Sequence, residues 1–484
     1  MELKAGEILR AVEGQLVQGA PQHLLRGVST DSRAIKEGEL FIALKGDRFD
    51  GHHFINEVLD RNASGLIVGK GFPLRDLPSL KKDIPVIQVI DTLRALGDLA
   101  SFWMQQNRAT VVAITGSNGK TTTREMAATI LEHSHRVLKP EHNWNNLIGL
   151  PLTLLRIKPY HQIALVEMGM NRAGEIKRLS QIAKPHTGLI TNIGPAHLQY
   201  LKTLQNIARA KGELFESLTS ANYAVVNTDD PLTVGLSKLC PARKVTFGIN
   251  SQAQVTATDI TPSYHSINSF TLKIEGENIS VDLKTPGLHN VYNALAAASI
   301  ATIFKLNLEE IKAGLERFTA FPGRTEIITV GNNINIINDT YNANPRSMEV
   351  ALRTLVQLKG NGRVIAVLGD MLELGEASTD LHQQLGSLIK ALNLDAVFLM
   401  GPHAAAVAES AINKGISEEA IHIGKTHEQI AKQLDEKVKE DDWILFKGSR
   451  GMKIEQILEQ FLQMRNNASK VPSTSEAVTV GCNH

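Results

Sequence analysis

Thr110-Val111-Val112-Ala113-Ile114-Thr115-Gly116-Ser117-Asn118-Gly119-Lys120-Thr121-Thr122-Thr123 is the stretch that decides the fold. Its β-branched first half predicts a buried strand over 110–114. Its second half predicts a tight loop opening a helix over 121–133. Glycines let the backbone curl so that successive N–H groups face an anion, and the helix N-terminus adds partial positive charge. Lys120 has the reach to contact β- and γ-phosphates, and the Thr121 hydroxyl is a Mg²⁺ ligand by type. The longer form of this motif has Gly six residues before the Lys; here Ile114 stands there, so the loop is a shortened one. A plain Gly-containing turn is the alternative, but it explains neither the Lys nor the triple Thr.

Outward from the loop, strand and helix alternate. Ile163–Val166 and Gly188–Ile190 predict further strands and Leu204–Leu218 a helix, the pattern of a parallel sheet covered by helices. Strand C-termini in such a sheet line one edge. That edge should carry the loop, Glu167 after the second strand and His197 after the third. A strand-terminal Glu is often a helix cap and a lone loop His is often structural; their placement after successive strands favours a role at the site, in holding metal. Residues 253–283 predict an antiparallel patch, and Asn290–Phe304 an Ala-rich helix. In the first ninety residues Leu40–Leu44 and Gly65–Val68 predict strands, followed by a helix over Thr92–Asn107. After the break at Phe321-Pro322-Gly323 alternation restarts, with strands at Ile334–Ile337, Val364–Leu368, Ala396–Met400 and Trp443–Phe446, and helices at Ser347–Leu358 and Thr379–Leu392.

The expected architecture is α/β in three domains. A small mixed N-terminal domain covers 1–90, a central domain with a P-loop-type parallel sheet 91–320, and a Rossmann-like α/β domain 321–465. The small polar tail over 466–484 is expected to be disordered. The chain has 484 residues, consistent with about three domains at roughly 150 each. Hydrophobic residues make up 43% and charged residues 21%, which excludes disordered, collagen-like and coiled-coil classes. Lys plus Arg is 51 against 50 Asp plus Glu, so nothing electrostatic favours a nucleic-acid backbone. Two cysteines, Cys240 and Cys482, make neither a disulfide framework nor a Cys-rich metal site. The start carries charge where a signal peptide needs an apolar core. The longest charge-free apolar stretch, Ala294–Phe304, is far short of the ~20 residues that span a bilayer. The expectation is a soluble, cytoplasmic monomer.

Together the loop, the Glu167 segment and Asn192-Ile193-Gly194-Pro195-Ala196-His197 resemble the ATP-dependent Mur ligases of peptidoglycan synthesis, from about Gly27 to about Gly451. In that family the loop has this shortened form. The resemblance implies ATP contacts from Gly116, Ser117, Asn118, Gly119, Lys120, Thr121 and Thr122. It adds Asn290 and Asn293 in His289-Asn290-Val291-Tyr292-Asn293, Arg324 after the Phe321-Pro322-Gly323 hinge, and Asp339 near the ribose. Lys211, in Ala210-Lys211-Gly212-Glu213, matches the lysine that is carbamylated and holds a second Mg²⁺; from spacing alone it reads as a solvated helix lysine. Thr121, Glu167, His197 and Lys211 would thus hold metal, and Lys120, Glu167, His197, Lys211 and Arg324 would form the catalytic set.

Asn145 and Asn146 are similar to the family's segment beside the phosphates. The wording Tyr341-Asn342-Ala343-Asn344-Pro345 and Gly369-Asp370-Met371-Leu372-Glu373-Leu374-Gly375 points to the dipeptide-adding branch, with Tyr341, Asn342 and Asn344 on the acyl and dipeptide side. Ser29, Asp31, Ser32, Arg33, Lys45, Arg48, Phe49 and His52 resemble its UDP-binding elements; alone they read as capped turns. The implied reaction joins D-alanyl-D-alanine to UDP-N-acetylmuramoyl-tripeptide at the expense of ATP. Two other readings stay open. A folylpolyglutamate synthase should lack the first ninety residues. A guanine-nucleotide switch should carry Asn-Lys-x-Asp, whereas the nearest piece, Asn227-Thr228-Asp229-Asp230, has no Lys.

Overall fold

The structure, a computed structural model, describes residues 1–46, 49–73, 80–141, 143–261, 268–331 and 333–468. Most of the tail, with Cys482, and the UDP-element residue Arg48 lie outside them. The described chain forms two compact units. One is built from Met1–Thr261, Ser269–Leu283 and His289–Phe318, the other mainly from Thr319 onward. Three main sheets carry the α/β architecture, and a two-stranded one pairs Glu2–Lys4 with Leu24–Arg26.

The central sheet of the first unit has nine strands. In spatial order they are Glu277–Leu283, Asn268–Ile274, Val255–Thr261, Arg243–Gly248, Tyr223–Asn227, Thr187–Ile190, Thr110–Thr115, Ile163–Glu167 and Val137–Leu138. From Val137–Leu138 across to Val255–Thr261 all neighbours are parallel. The antiparallel patch expected over 253–283 is present and lies at one edge of this sheet. Val255–Thr261 pairs parallel with Arg243–Gly248 and antiparallel with Asn268–Ile274, extending the same sheet. The loop strand sits between strands that come later in the chain on both sides, so connections leave it in both directions. That is the place where a crevice opens at the carboxyl edge of such sheets.

Burial explains the strand's composition. Val111 and Ala113 face one core cluster, Val112 and Ile114 the other. A strand buried on both faces reads as a continuous apolar run. On one face lies the helix Leu288–Ile303, whose buried alanines allow a close approach to the sheet. On the other lie Thr92–Gln105, Gly149–Leu154, Glu175–Ala183 and Leu204–Glu216.

The N-terminal sheet runs Gln15–Gln18, Val86–Val89, Gly65–Gly69, Leu40–Ile42, Val28–Ser29, parallel except for its first strand. Leu40, Ile42, Ile67 and Ile87 share one core with Leu96 and Leu99 of the helix Thr92–Gln105, and with Val111 and Ala113 of the central sheet. The boundary expected at 90/91 therefore falls beside a helix that packs on both sheets.

The second unit holds a six-stranded sheet in the order Glu326–Val330, Ile334–Asp339, Trp443–Lys447, Val364–Gly369, Ala396–Met400, Ile421–Ile423. The first pair is antiparallel and the rest parallel. The last described helix, Glu455–Ala468, runs through Asn466 into the stretch expected to be tail. No helix among the described residues is long and apolar enough to cross a membrane.

Candidate active site

The loop after Thr115 is shaped by two glycines in conformations that side chains resist. Gly116 has φ +145° and Gly119, which heads the helix Lys120–Leu131, has φ +84°. A Cβ at Gly116 would lie 1.9 Å from Thr191 Oγ1, and one at Gly119 2.3 Å from Asn293 Oδ1. Glycine is required at both by backbone angle and by space. Lys120 folds back across the loop, its Nζ donating to Gly116 O at 2.7 Å. Thr121 and Thr123 are buried in the first helical turn.

The segment after the neighbouring strand clamps this loop. Ser117 N donates to Asn192 O (2.9 Å), and Ser117 Oγ both donates to and accepts from the Gly194 backbone (2.9 Å each). Asn118 N donates to Asn192 Oδ1 (3.1 Å), while Thr191 Oγ1 and Asn192 Nδ2 donate to Asn118 O (2.6 and 3.1 Å). His197 follows three residues later with φ +58°, heading the short helix Leu198–Leu201. On the other flank Thr115 Oγ1 donates to Met168 O (2.7 Å), and Gly169 N to Asn145 O (2.7 Å). Asn146 Oδ1 is engaged in the local turn, accepting from Ile148 N and Gly149 N where the helix Gly149–Leu154 begins.

Glu167 is 1% exposed and ion-paired with Arg124, equally buried, at 2.8 Å. Arg124 also pairs with Glu125, which Lys139 reaches at 2.7 Å. This four-member network balances its charges behind the loop, and only Glu167 of the four was a sequence candidate. Asn290 and Asn293 are buried under the loop. Asn293 Oδ1 accepts from Thr123 Oγ1 (3.2 Å), and its Nδ2 donates to Asn290 Oδ1 (3.0 Å). Both asparagines support the loop in the described chain.

Lys211 is not a solvated helix lysine. It is 2% exposed, on the buried face of Leu204–Glu216. It has no hydrogen bond or ion pair among the described residues. Burial, and then repulsion from Lys120, pushes its ammonium pKa well below the ordinary lysine value. Among the described residues no three His, Cys, Asp or Glu side chains form a ready metal cluster.

In the N-terminal sheet region, Arg33 pairs with Asp31 (2.8 Å), and hydrogen bonds from Arg33 hold the Asp31 carboxyl at about 2. Ser29 Oγ accepts from Asp31 N, and Ser32 Oγ donates to Glu57 (3.4 Å). Lys45 lies 3.9 Å from Asp50, and Phe49 is 75% exposed. His52 is fully engaged: its Nε2 accepts from Gly69 N (2.8 Å), so its Nδ1 carries the proton toward Asp50 Oδ1 (2.5 Å). His52→Ala is therefore expected to cost stability, about 1–3 kcal/mol for the donor left without an acceptor. Thermal unfolding checks this as a lowered midpoint; an unchanged midpoint would contradict the structural role.

In the second unit, the Arg324 guanidinium carbon stands 3.9 Å from the Tyr341 ring centroid, a cation–π contact. Its buried Nε has no hydrogen-bond partner among the described residues. Asp339 and Lys447 are cross-strand partners; Lys447 Nζ donates to Asp339 Oδ2 (2.5 Å) and Asn342 O (2.9 Å). Asn342 Oδ1 accepts from Ala343 N and Arg450 N. Asn344 caps the helix Pro345–Leu358 in a reciprocal box with Ser347. Sequence reasoning missed Asn192, Arg124 and Lys447. Lys447 had a signal: a lysine ending a buried strand, directly before Gly448-Ser449-Arg450.

A shortened phosphate loop at the carboxyl edge of a parallel sheet, with a lysine drawn over it and a second amine buried close by, defines a phosphate-loop α/β protein. Three sequence profiles match in order: the Mur ligase family catalytic domain over residues 24–103, the Mur ligase middle domain over 114–301, and the Mur ligase glutamate ligase domain over 323–450. The UDP-N-acetylmuramoyl-tripeptide–D-alanyl-D-alanine ligase of Bacillus subtilis is 36% identical over 459 residues, 94% of this chain and 97% of its own. A crystal structure of MurF from Acinetobacter baumannii superposes with TM-score 0.87 at 33% identity, covering 96% of this chain and 99% of that one. MurF from Thermotoga maritima in complex with ADP gives TM-score 0.81 at 29% identity, covering 92% and 98%. The chain belongs to the Mur ligase family.

Proposed function

We propose that this chain is an ATP-dependent ligase that joins D-alanyl-D-alanine to the tripeptide of UDP-N-acetylmuramoyl-tripeptide, a step of peptidoglycan precursor synthesis. The observation that carries it is the match, along nearly the whole chain, to relatives named for that reaction. The chemistry fits the loop. A free carboxylate is a poor acyl donor because its leaving group would be oxide. Transfer of the γ-phosphoryl of ATP to the tripeptide carboxylate gives an acyl phosphate and ADP. The dipeptide amine then adds to the acyl carbon, loses its proton, and expels phosphate to leave the amide.

In this reading the N–H groups of Gly116–Lys120 and the Lys120 ammonium bind the phosphates, and Arg324 and Asp339 are proposed as nucleotide contacts. Residues 1–90 are proposed as the UDP-substrate domain, 91–320 as the ATP-binding domain and 321–465 as the C-terminal ligase domain. Thr121, Glu167, His197 and Lys211 would hold Mg²⁺, which would neutralise triphosphate charge. The fit rests on Lys211. Lys211 is a buried amine with no ion-pair partner among the described residues, its ammonium disfavoured by burial and by Lys120, and it is the neutral amine that adds CO₂ to give a carbamate and a proton. The carbamate oxygens are ligands of the kind Mg²⁺ takes. Asn145, Tyr341 and Asn342 are proposed on the acyl and dipeptide side.

The test is purified protein with ATP, Mg²⁺, D-alanyl-D-alanine and UDP-muramoyl-tripeptides differing at the third residue. ADP, phosphate and a product heavier by the dipeptide are expected; nucleotide turnover without the ligated product would overturn the reading. Phe49 is proposed as a face for the uridine end because it is apolar and exposed beside the Asp50–His52 turn. Phe49→Ala is expected to raise KM for the UDP-substrate roughly tenfold, the scale of one lost stacking contact, with KM for ATP nearly unchanged. An equal rise in both would count against it.

A further inference from the structure

We propose that the turn Asn227-Thr228-Asp229-Asp230 positions the phosphate loop from both sides, so that nucleotide affinity depends on residues that lie behind the loop. The inference rests on the ATP-dependent reading above. The turn ends the strand Tyr223–Asn227, whose neighbour Thr187–Ile190 separates it from the loop strand.

The first arm runs through the clamp. Asn227 Nδ2 donates to Thr191 O (2.9 Å), and Ile193 N donates to Asp230 Oδ2 (2.6 Å). The intervening backbone groups point the other way: Asn192 O and Gly194 N and O bind Ser117. Here one side is tied to the turn and the other grips the loop. Asp230 is itself fixed, because its Oδ1 caps the helix Pro231–Ser237 at Leu232 N and Thr233 N.

The second arm runs through the helix Leu288–Ile303. Asp229 Oδ2 accepts from Tyr292 Oη (2.8 Å), Ile249 N (2.6 Å) and Asn250 N (2.9 Å), and Asn250 Nδ2 donates to Tyr292 Oη (3.2 Å). Tyr292 is the chain neighbour of Asn293, whose carboxamide fills the space beside Gly119 and accepts from Thr123 Oγ1. Burial alone would raise the Asp229 pKa. Hydrogen bonds from Asn250, Ile249, Ser251 and Tyr292 outweigh it and hold the group at about 2, so the anchor is ionised at neutral pH. Two adjacent carboxylates thus fix the two walls between which the loop must hold its curl for a phosphate.

The test measures ADP binding by titration calorimetry, without turnover, in the wild type and in Asp229→Asn, Asp230→Asn and Tyr292→Phe. Each aspartate variant is expected to bind ADP about tenfold more weakly, the effect of losing one charge-assisted hydrogen bond in a positioning chain. KM for ATP should rise with it, and KM for the UDP-substrate should not. Tyr292→Phe added to Asp229→Asn should weaken binding by less than the sum of the two, because the hydrogen bond between these two side chains is shared. If Asp230→Asn loses its helix cap and fails to fold, Tyr292→Phe, which removes a single oxygen, carries the test. Wild-type affinity in folded variants, or an equal rise in both KM values, overturns the positioning role. A wild-type chain that does not bind ADP overturns the nucleotide reading itself, and this inference with it.

Discussion

Replacing Lys120 by alanine is expected to lower kcat/KM about a hundredfold or more while the thermal midpoint stays nearly unchanged. The side chain lies half-buried over the loop and donates to Gly116 O, a carbonyl that water can satisfy in its place. In the proposed reaction the transition state would lose a cation aimed at the oxygens where charge develops. Removing one preorganised electrostatic contact of that kind costs about 3 kcal/mol, and each 1.36 kcal/mol is about tenfold in rate. Steady-state kinetics with a parallel melt checks both halves. Turnover near the wild-type rate would remove the phosphate-loop assignment.

Lys211→Ala is expected to be nearly inactive and partly rescued by a short-chain carboxylic acid. An ammonium has three donors and no acceptor, so a protonated Lys211 cannot ligate a cation. The proposed carbamylation would turn it into an oxygen ligand, and burial lowers the ammonium pKa in the direction that the reaction needs. A small carboxylate could place its oxygens in the space the side chain vacates. Labelling the wild type with ¹³CO₂ gives a second readout, a carbamate carbon resonance that the variant lacks. Full activity in Lys211→Ala would return this residue to a packing role.

What the sequence made legible was what is local. The strand, two glycines, lysine and threonines of 110–123 lie within fourteen consecutive residues, and the structure keeps them in one strand–loop–helix. The clamp was legible only as a quoted segment. His197 was singled out there, while the contacts that hold the loop come from Thr191, Asn192 and Gly194. Those contacts span more than seventy residues, and no periodicity reports them. Lys211 shows the same limit from the other side: helical spacing could not tell that its face turns inward. Asn146 and Asn344 engage the starts of helices, where cap chemistry and ligand chemistry call for the same residue type. Several strands escaped notice for composition. Arg243–Gly248 opens with two charges, Val137–Leu138 has two residues, and Gln15–Gln18 lies at a sheet edge with both faces partly open.

The helix Thr92–Gln105 has a consequence for how this scaffold changes over evolutionary time. Leu96 and Leu99 belong to a single core that takes in Leu40 and Ile42 of the N-terminal sheet and Val111 and Ala113 of the phosphate-loop strand. A recombination event that exchanged only the first ninety residues would bring a foreign surface against those leucines and leave gaps or clashes, each costing on the order of 1–5 kcal/mol against a marginal total. The first ninety residues are therefore not a cassette. A lineage adapting this chain to a different substrate must revise side chains in place and keep the shared core as inherited.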